Sequence, residues 1–114
     1  MNGPNPRRGD VWMVNFNPAR GSEQKGIRPA LVIQNDTGNV YASTTIVAAI
    51  TSRIKEFPVT EVLPVGQGGL RRRSMVNLAQ LLTVDKGRLQ KRLGSVSDAV
   101  MAKVNEAIRV SLDV

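Results

Sequence analysis

The sequence predicts a mainly β domain with helices, of the α+β class: a small, strongly bent antiparallel sheet or barrel with an amphipathic C-terminal helix laid against it. Three observations predict this. Short apolar runs rich in Val, Ile and Thr recur along most of the chain, separated by clusters of turn formers, which is the pattern of strands. Only the C-terminal stretch repeats its apolar residues at helical spacing. With 114 residues the chain can build one core without staples, but not two, so 1–114 is expected to be a single domain.

The elements follow in order. Residues 1–6 are polar with two prolines and no apolar segment behind them, so they are expected to be loosely held and not a secretory signal. Val11, Trp12, Val14 and Phe16 mark a first strand over 11–16, closed by Asn17-Pro18. A long polar loop over 19–28 carries Arg20, Lys25 and Arg28 against Glu23. The apolar run from Ala30 makes 30–34 a second strand, ended by the turn formers of 35–39. The third, 44–51, is apolar throughout its middle and so is expected to be buried on both faces. Residues 60–63 suit an edge strand before Pro64, and Gln67-Gly68-Gly69 marks a turn. Two further strands are expected over 74–78 and 81–84, stopped by Asp85-Lys86-Gly87, and a last one over 91–96 with Gly94 as a bulge or close-approach point. Ser97 is a plausible N-cap; Val100, Val104, Ile108 and Leu112 then recur every fourth residue, joined by Met101 and Ala107, with Lys103, Glu106 and Arg109 opposite.

Sixteen Lys and Arg against nine Asp and Glu leave a net charge of +7, and without histidine that charge hardly changes between pH 5 and 8. Nucleic acid is the partner such a balance favours. A membrane surface fits less well, because the cations are not gathered on one long amphipathic helix and the apolar stretch 46–50 is too short to span. The absence of cysteine removes disulfides and thiolate chemistry, and with histidine also missing the usual transition-metal ligands are gone. Neither a metal nor a redox cofactor is expected, and the cytoplasm is the expected location.

What remains for chemistry is arginine, hydroxyls and a few carboxylates. That inventory suits cleavage of RNA by its own 2′-hydroxyl, where the substrate supplies the nucleophile and the protein aligns it and stabilises the phosphorane. Arg28-Pro29 is the most suggestive pair in the chain. Proline fixes its own φ and pushes the preceding residue into an extended conformation, so a planar guanidinium suited to phosphate is held on restrained backbone.

Several stretches together resemble the MazF/PemK family of toxin endoribonucleases: Arg8-Gly9-Asp10-Val11, Gly21-Ser22-Glu23-Gln24, Gly26-Ile27-Arg28-Pro29, Val32-Ile33-Gln34-Asn35-Asp36, the run 46–51, Leu78-Ala79-Gln80, Thr83-Val84-Asp85 and Arg88-Leu89. The poorest match is 56–74, including the triple arginine. The resemblance implies an SH3-like barrel with accessory helices, a homodimer, metal-independent cutting of single-stranded RNA at short sequences, and neutralisation by a cognate antitoxin. An acidic, partly disordered antitoxin would suit the charge. The resemblance places the catalytic pair at Arg28 and Thr51, puts Glu23 and Gln24 in a loop bordering the RNA groove, and Gln80 near the dimer cleft.

The chemistry of each group limits its role. Arginine is a poor general base, so Arg28 is expected to hold and neutralise phosphate, and Thr51 to hydrogen-bond a non-bridging oxygen. Glu23 reads equally as acceptor of the 2′-hydroxyl proton or as a loop acid balancing Lys25. Arg20, Gln24, Lys25, Gln80 and the adjacent Arg71, Arg72 and Arg73 are candidates for RNA contact, although the triple arginine also reads as a solvated loop and Gln80 as a turn or core amide. Trp12 and Phe16 read as core residues and Asp10 as a strand-entry residue. Two rival functions remain: a toxin of the same fold that resembles gyrase poisons and cuts nothing, and a non-catalytic SH3-like RNA-binding module.

Overall fold

The structure, a computed structural model, describes residues 3–17 and 26–114. Among the described residues six strands form one sheet: β1 (Asp10–Asn15), β2 (Ile27–Val32), β3 (Thr44–Thr51), β4 (Thr60–Leu63), β5 (Ser74–Asp85) and β6 (Leu89–Ser95). The helices among the described residues are α1 (Asp36–Tyr41) and α2 (Asp98–Leu112), with short 3-10 turns at Gln67–Gly69 and Lys86–Arg88. The strand order is β4-β5-β3-β2-β1-β6, all neighbours antiparallel. β4 and β6 are the edges and do not pair with each other, so the barrel is open.

Side chains on a strand alternate between faces, and the sheet uses both. Val11, Leu31, Ala48, Ile50, Val76 and Leu78 share one apolar cluster with Val104 and Ala107 of α2. The residues between them, Trp12, Val14, Ala30, Val32 and Val47, join Phe16, Val84 and Leu89 in a second cluster. This is why the strands read as continuous apolar runs, and β3 is buried on both faces as expected. Each fully enclosed side chain such as Leu31 or Ile50 contributes about 1.5–3 kcal/mol through burial. α2 begins where the sequence places it, with the Ser97 hydroxyl accepting from Val100 N–H at 3.2 Å.

Four expectations need correction. The turn formers of 35–39 open a helix: the Asn35 side chain accepts from Gly38 N–H at 2.8 Å and caps α1, and buried Asn39 accepts from the Thr45 hydroxyl at 2.7 Å. Polar side chains that favour turns also favour caps, and here the cap prevails. The strands expected over 74–78 and 81–84 are one, β5. Its pairing with β3 jumps from Ala48–Leu81 to Ala49–Asn77, so residues 78–80 form a bulge that bends the strand without ending it, and Leu78 N–H is satisfied by the Val59 carbonyl at 2.8 Å. The last strand starts two residues early, at Leu89. Finally β2 begins at Ile27, so Arg28 lies inside a strand and not in the loop before it.

The turn after β4 crosses toward the other edge. A Cβ at Gly69, whose φ is +73°, would stand 2.1 Å from the Leu93 carbonyl oxygen, and one at Gly94 would lie 2.9 Å from the Gly68 backbone. Gly94 is therefore a point of close approach, which seats the 3-10 turn directly on β6.

Candidate functional site

The pairing of β2 with β3 runs from Val32–Val47 through Leu31–Ala48 to Ala30–Ala49, and stops. Continued by two residues, the register sets Pro29 opposite Ile50 and Arg28 opposite Thr51. Directly opposed residues on antiparallel strands project to the same face. On their other sides β2 stays paired with β1 down to Ile27, and β3 with β5 as far as Thr51.

A cleft of about 300 Å³ is bordered by Arg28 and Pro29 from β2 and by Ile50, Thr51 and Ser52 from the end of β3. Leu70, Arg71, Arg72 and Ser74, from the turn leading into β5, complete the lining. Leu70 is anchored in the first apolar cluster. Buried Ser74 donates its hydroxyl to the Arg72 carbonyl at 3.0 Å, which fixes the backbone that carries the arginines. Among the described residues the lining thus holds three guanidiniums and three hydroxyls and no carboxylate. The Thr51 hydroxyl accepts from Arg53 N–H at 3.1 Å and still has its own hydrogen to donate. Such a set has the charge and the donors that charge-assisted hydrogen bonds to a phosphodiester require.

The structure brings together four of the residues singled out by sequence: Arg28, Thr51, Arg71 and Arg72. Arg73 is exposed and does not line the cleft, and Gln80 sits in the bulge of β5, also outside the lining. Arg20, Glu23, Gln24 and Lys25 lie outside the described residues. The ends of their loop are nonetheless joined: Phe16 N–H donates to the Gly26 carbonyl and Gly26 N–H to the Asn17 side chain, each at 2.9 Å, two residues before Arg28. Trp12 and Phe16 are 9% and 6% exposed, core residues as expected. Asp10 is structural too: buried, it pairs with Arg92 Nε at 3.2 Å and accepts from Arg7 N–H at 3.0 Å. Sequence reasoning missed Ser52 and Ser74. Ser52 was within reach as the hydroxyl next to Thr51, whereas nothing local marks Ser74.

The open barrel agrees with the comparisons to known proteins. Residues 7–112 match the model of the PemK-like, MazF-like toxin of type II toxin–antitoxin systems. The chain belongs to this toxin family. Its MazF-like relatives include a protein named endoribonuclease MazF from Staphylococcus saprophyticus, 47% identical over 93% of this chain and 90% of that protein. Another is named endoribonuclease EndoA, from Bacillus subtilis, 44% identical over 93% of each. Among solved structures, MazF from Deinococcus radiodurans superposes with a TM-score of 0.84 at 28% identity, covering 97% of this chain and 99% of that one. The MazE–MazF complex from the same organism gives 0.78 at 28% identity, over 96% and 97%.

Proposed function

We propose that this chain is the toxin of a type II toxin–antitoxin pair and a sequence-selective, metal-independent endoribonuclease acting on single-stranded RNA. Family membership and the names of its relatives support the activity. The observation that carries the site is that Arg28 and Thr51, opposite one another in the continued register of β2 and β3, line one cleft together with Arg71 and Arg72.

In this reading the scissile phosphate sits between Arg28 and Thr51. The RNA 2′-oxygen attacks phosphorus as the bond to the 5′-oxygen breaks, leaving a 2′,3′-cyclic phosphate and a 5′-hydroxyl. Arg28 neutralises the charge gathering on the non-bridging oxygens and Thr51 donates to one of them, the kind of preorganised stabilisation that acts on the transition state. The 2′-hydroxyl proton must go to a base and a proton must reach the departing oxygen. Glu23, carried on a loop whose ends are tied beside Arg28, is the candidate base. Arg71 and Arg72 take neighbouring phosphates, with Arg20, Gln24, Lys25, Arg73 and Gln80 as outer contacts. No cofactor is required by this scheme.

The partner is an acidic antitoxin, a reading supported by the MazE–MazF complex and by the +7 charge of this chain. A homodimer acting in the cytoplasm completes the proposal. The test is incubation with a long RNA in EDTA beside Arg28→Ala. Cleavage at recurrent short sites with cyclic phosphate ends, lost in the variant, is the expected result. RNA that is bound yet left whole would overturn the nuclease reading in favour of a non-catalytic module, and altered DNA supercoiling with intact RNA would favour a gyrase poison.

A further inference from the structure

β1 outlasts its neighbour on one side. Its pairing with β6 ends at Val14–Leu89, where the chain has only just left the 3-10 turn Lys86–Arg88, while its pairing with β2 runs on to Asn15–Ile27. Phe16 N–H donates to the Gly26 carbonyl at 2.9 Å, so Phe16 faces β2. Successive residues of a strand direct their backbone groups to opposite neighbours. Asn15, and Asn17 beyond it, therefore turn theirs to the side where β6 has ended. Backbone carbonyls without a strand beside them need another donor. Arg88 supplies it: its Nη1 donates to the Asn15 carbonyl at 3.2 Å and also to the Asn17 carbonyl.

This brace lies close to the cleft. Arg28 pairs with Val14 of β1, the residue at which β6 ends, whereas the pairing of β2 with β3 runs from Val32–Val47 to Ala30–Ala49. β1 is therefore the strand that carries the backbone of β2 past Arg28. Asn17 secures the same end from the other direction, its side chain accepting from Gly26 N–H at 2.9 Å. The guanidinium thus grips residues 15 and 17, and these hold Ile27 and Gly26, the two residues before Arg28. Arg88 is half-buried, and its planar, preorganised donors make a firmer brace than a flexible ammonium would.

We propose that Arg88 is a positioning residue for the cleft: by standing in for the missing strand beside Asn15 and Asn17, it fixes the end of β1 and, through it, the backbone that carries Arg28. By charge alone Arg88 would count among the cations that meet RNA phosphates. Its bonds assign it an internal role, with Nη1 engaged by two backbone carbonyls. Displacing a group that acts on the reacting atoms by about 1 Å can slow a reaction about a hundred-fold. Loss of the brace should therefore show in the cleavage step.

The catalytic consequence rests on the nuclease reading; the bracing of β1 does not, and the experiment keeps them separate. In Arg88→Ala, amide exchange at Phe16, Gly26 and Leu31 is followed by NMR. Single-turnover cleavage at saturating RNA is measured alongside, with the salt dependence of binding to an RNA carrying 2′-O-methyl groups. Exchange at Phe16 and Gly26 should quicken at least about ten-fold, while Leu31, paired on both sides in the sheet, keeps its wild-type rate. Cleavage should slow at least about ten-fold with affinity near wild type, the split expected when a group acting in the transition state is displaced. The slope of log K against log salt should not change. Unaltered exchange at Phe16 and Gly26 would overturn the proposal, whatever the activity. So would faster exchange with a normal cleavage rate, because the cleft would then not depend on the brace. A slope flattened by about 0.7, the mark of a lost phosphate contact, would overturn it as well. If wild type itself fails to cleave RNA, the nuclease reading falls, and Arg88 as the brace of β1 stands or falls on the exchange result. If exchange at Leu31 quickens too, the whole fold has loosened, and Arg88→Met, which keeps the unbranched stem, supplies the deciding measurement.

Discussion

Arg71 and Arg72 line the cleft with Arg28, and their contribution can be isolated through salt dependence. Each phosphate neutralised on a single strand releases counterions and adds about −0.7 to the slope of log K against log salt. If both arginines meet phosphates, the double variant Arg71→Ala/Arg72→Ala should flatten the slope by about 1.4. Over a rise from about 50 to about 200 mM salt, wild type should then lose roughly seven-fold more affinity than the variant. This difference is independent of how many other cations touch the RNA, including Arg20 and Lys25. The assay is fluorescence anisotropy with an RNA carrying 2′-O-methyl groups, which binds but has no nucleophile. Both side chains are exposed, so the fold should be unaffected and a thermal melt serves as the control. Equal slopes for the two proteins would refute the reasoning and return the arginine run to a solvated loop. A loss of affinity at unchanged slope would point to a shape effect in place of phosphate contact.

Three further outcomes are expected. Thr51→Val keeps the shape and the strand propensity but removes the hydroxyl, so single-turnover cleavage should slow about a hundred-fold while Thr51→Ser stays near wild type; a normal rate for the valine variant would remove Thr51 from the site. Leu31 is fully enclosed, and Leu31→Ala should lower the unfolding free energy in urea by about 2–5 kcal/mol, whereas a change under about 1 kcal/mol would mean that the cluster collapses onto the gap. Asp36 is held below its ordinary value of 3.8, first by the Arg8 N–H at 2.7 Å and then by the Asn39 side chain. Because its folded pKa is the lower one, its contribution is full above the unfolded value and is lost as pH falls through the folded value. The stability difference between wild type and Asp36→Asn should therefore shrink on going from about pH 5 to about pH 2, and a constant difference would contradict the assignment.

Much of the fold is legible in the sequence because its causes are local. β3 and the edge strand β4 fall at the expected residues, and α2 starts at Ser97 because capping and fourfold apolar spacing act within one segment. The errors arise where a partner strand decides. Residues 78–80 look like a break between strands, yet β3 stays continuous alongside and the extra residues become a bulge. The start of β2 was hidden because Ile27 is exposed and Arg28 is charged, while their place in the sheet comes from bonds to β1. The site is legible to the same extent. Arg28 and Thr51 are the pair that the family resemblance implies, whereas Leu70 and Ser74 join them only because the turn at Gln67–Gly69 is seated on β6 by backbone contacts that no short window of sequence contains.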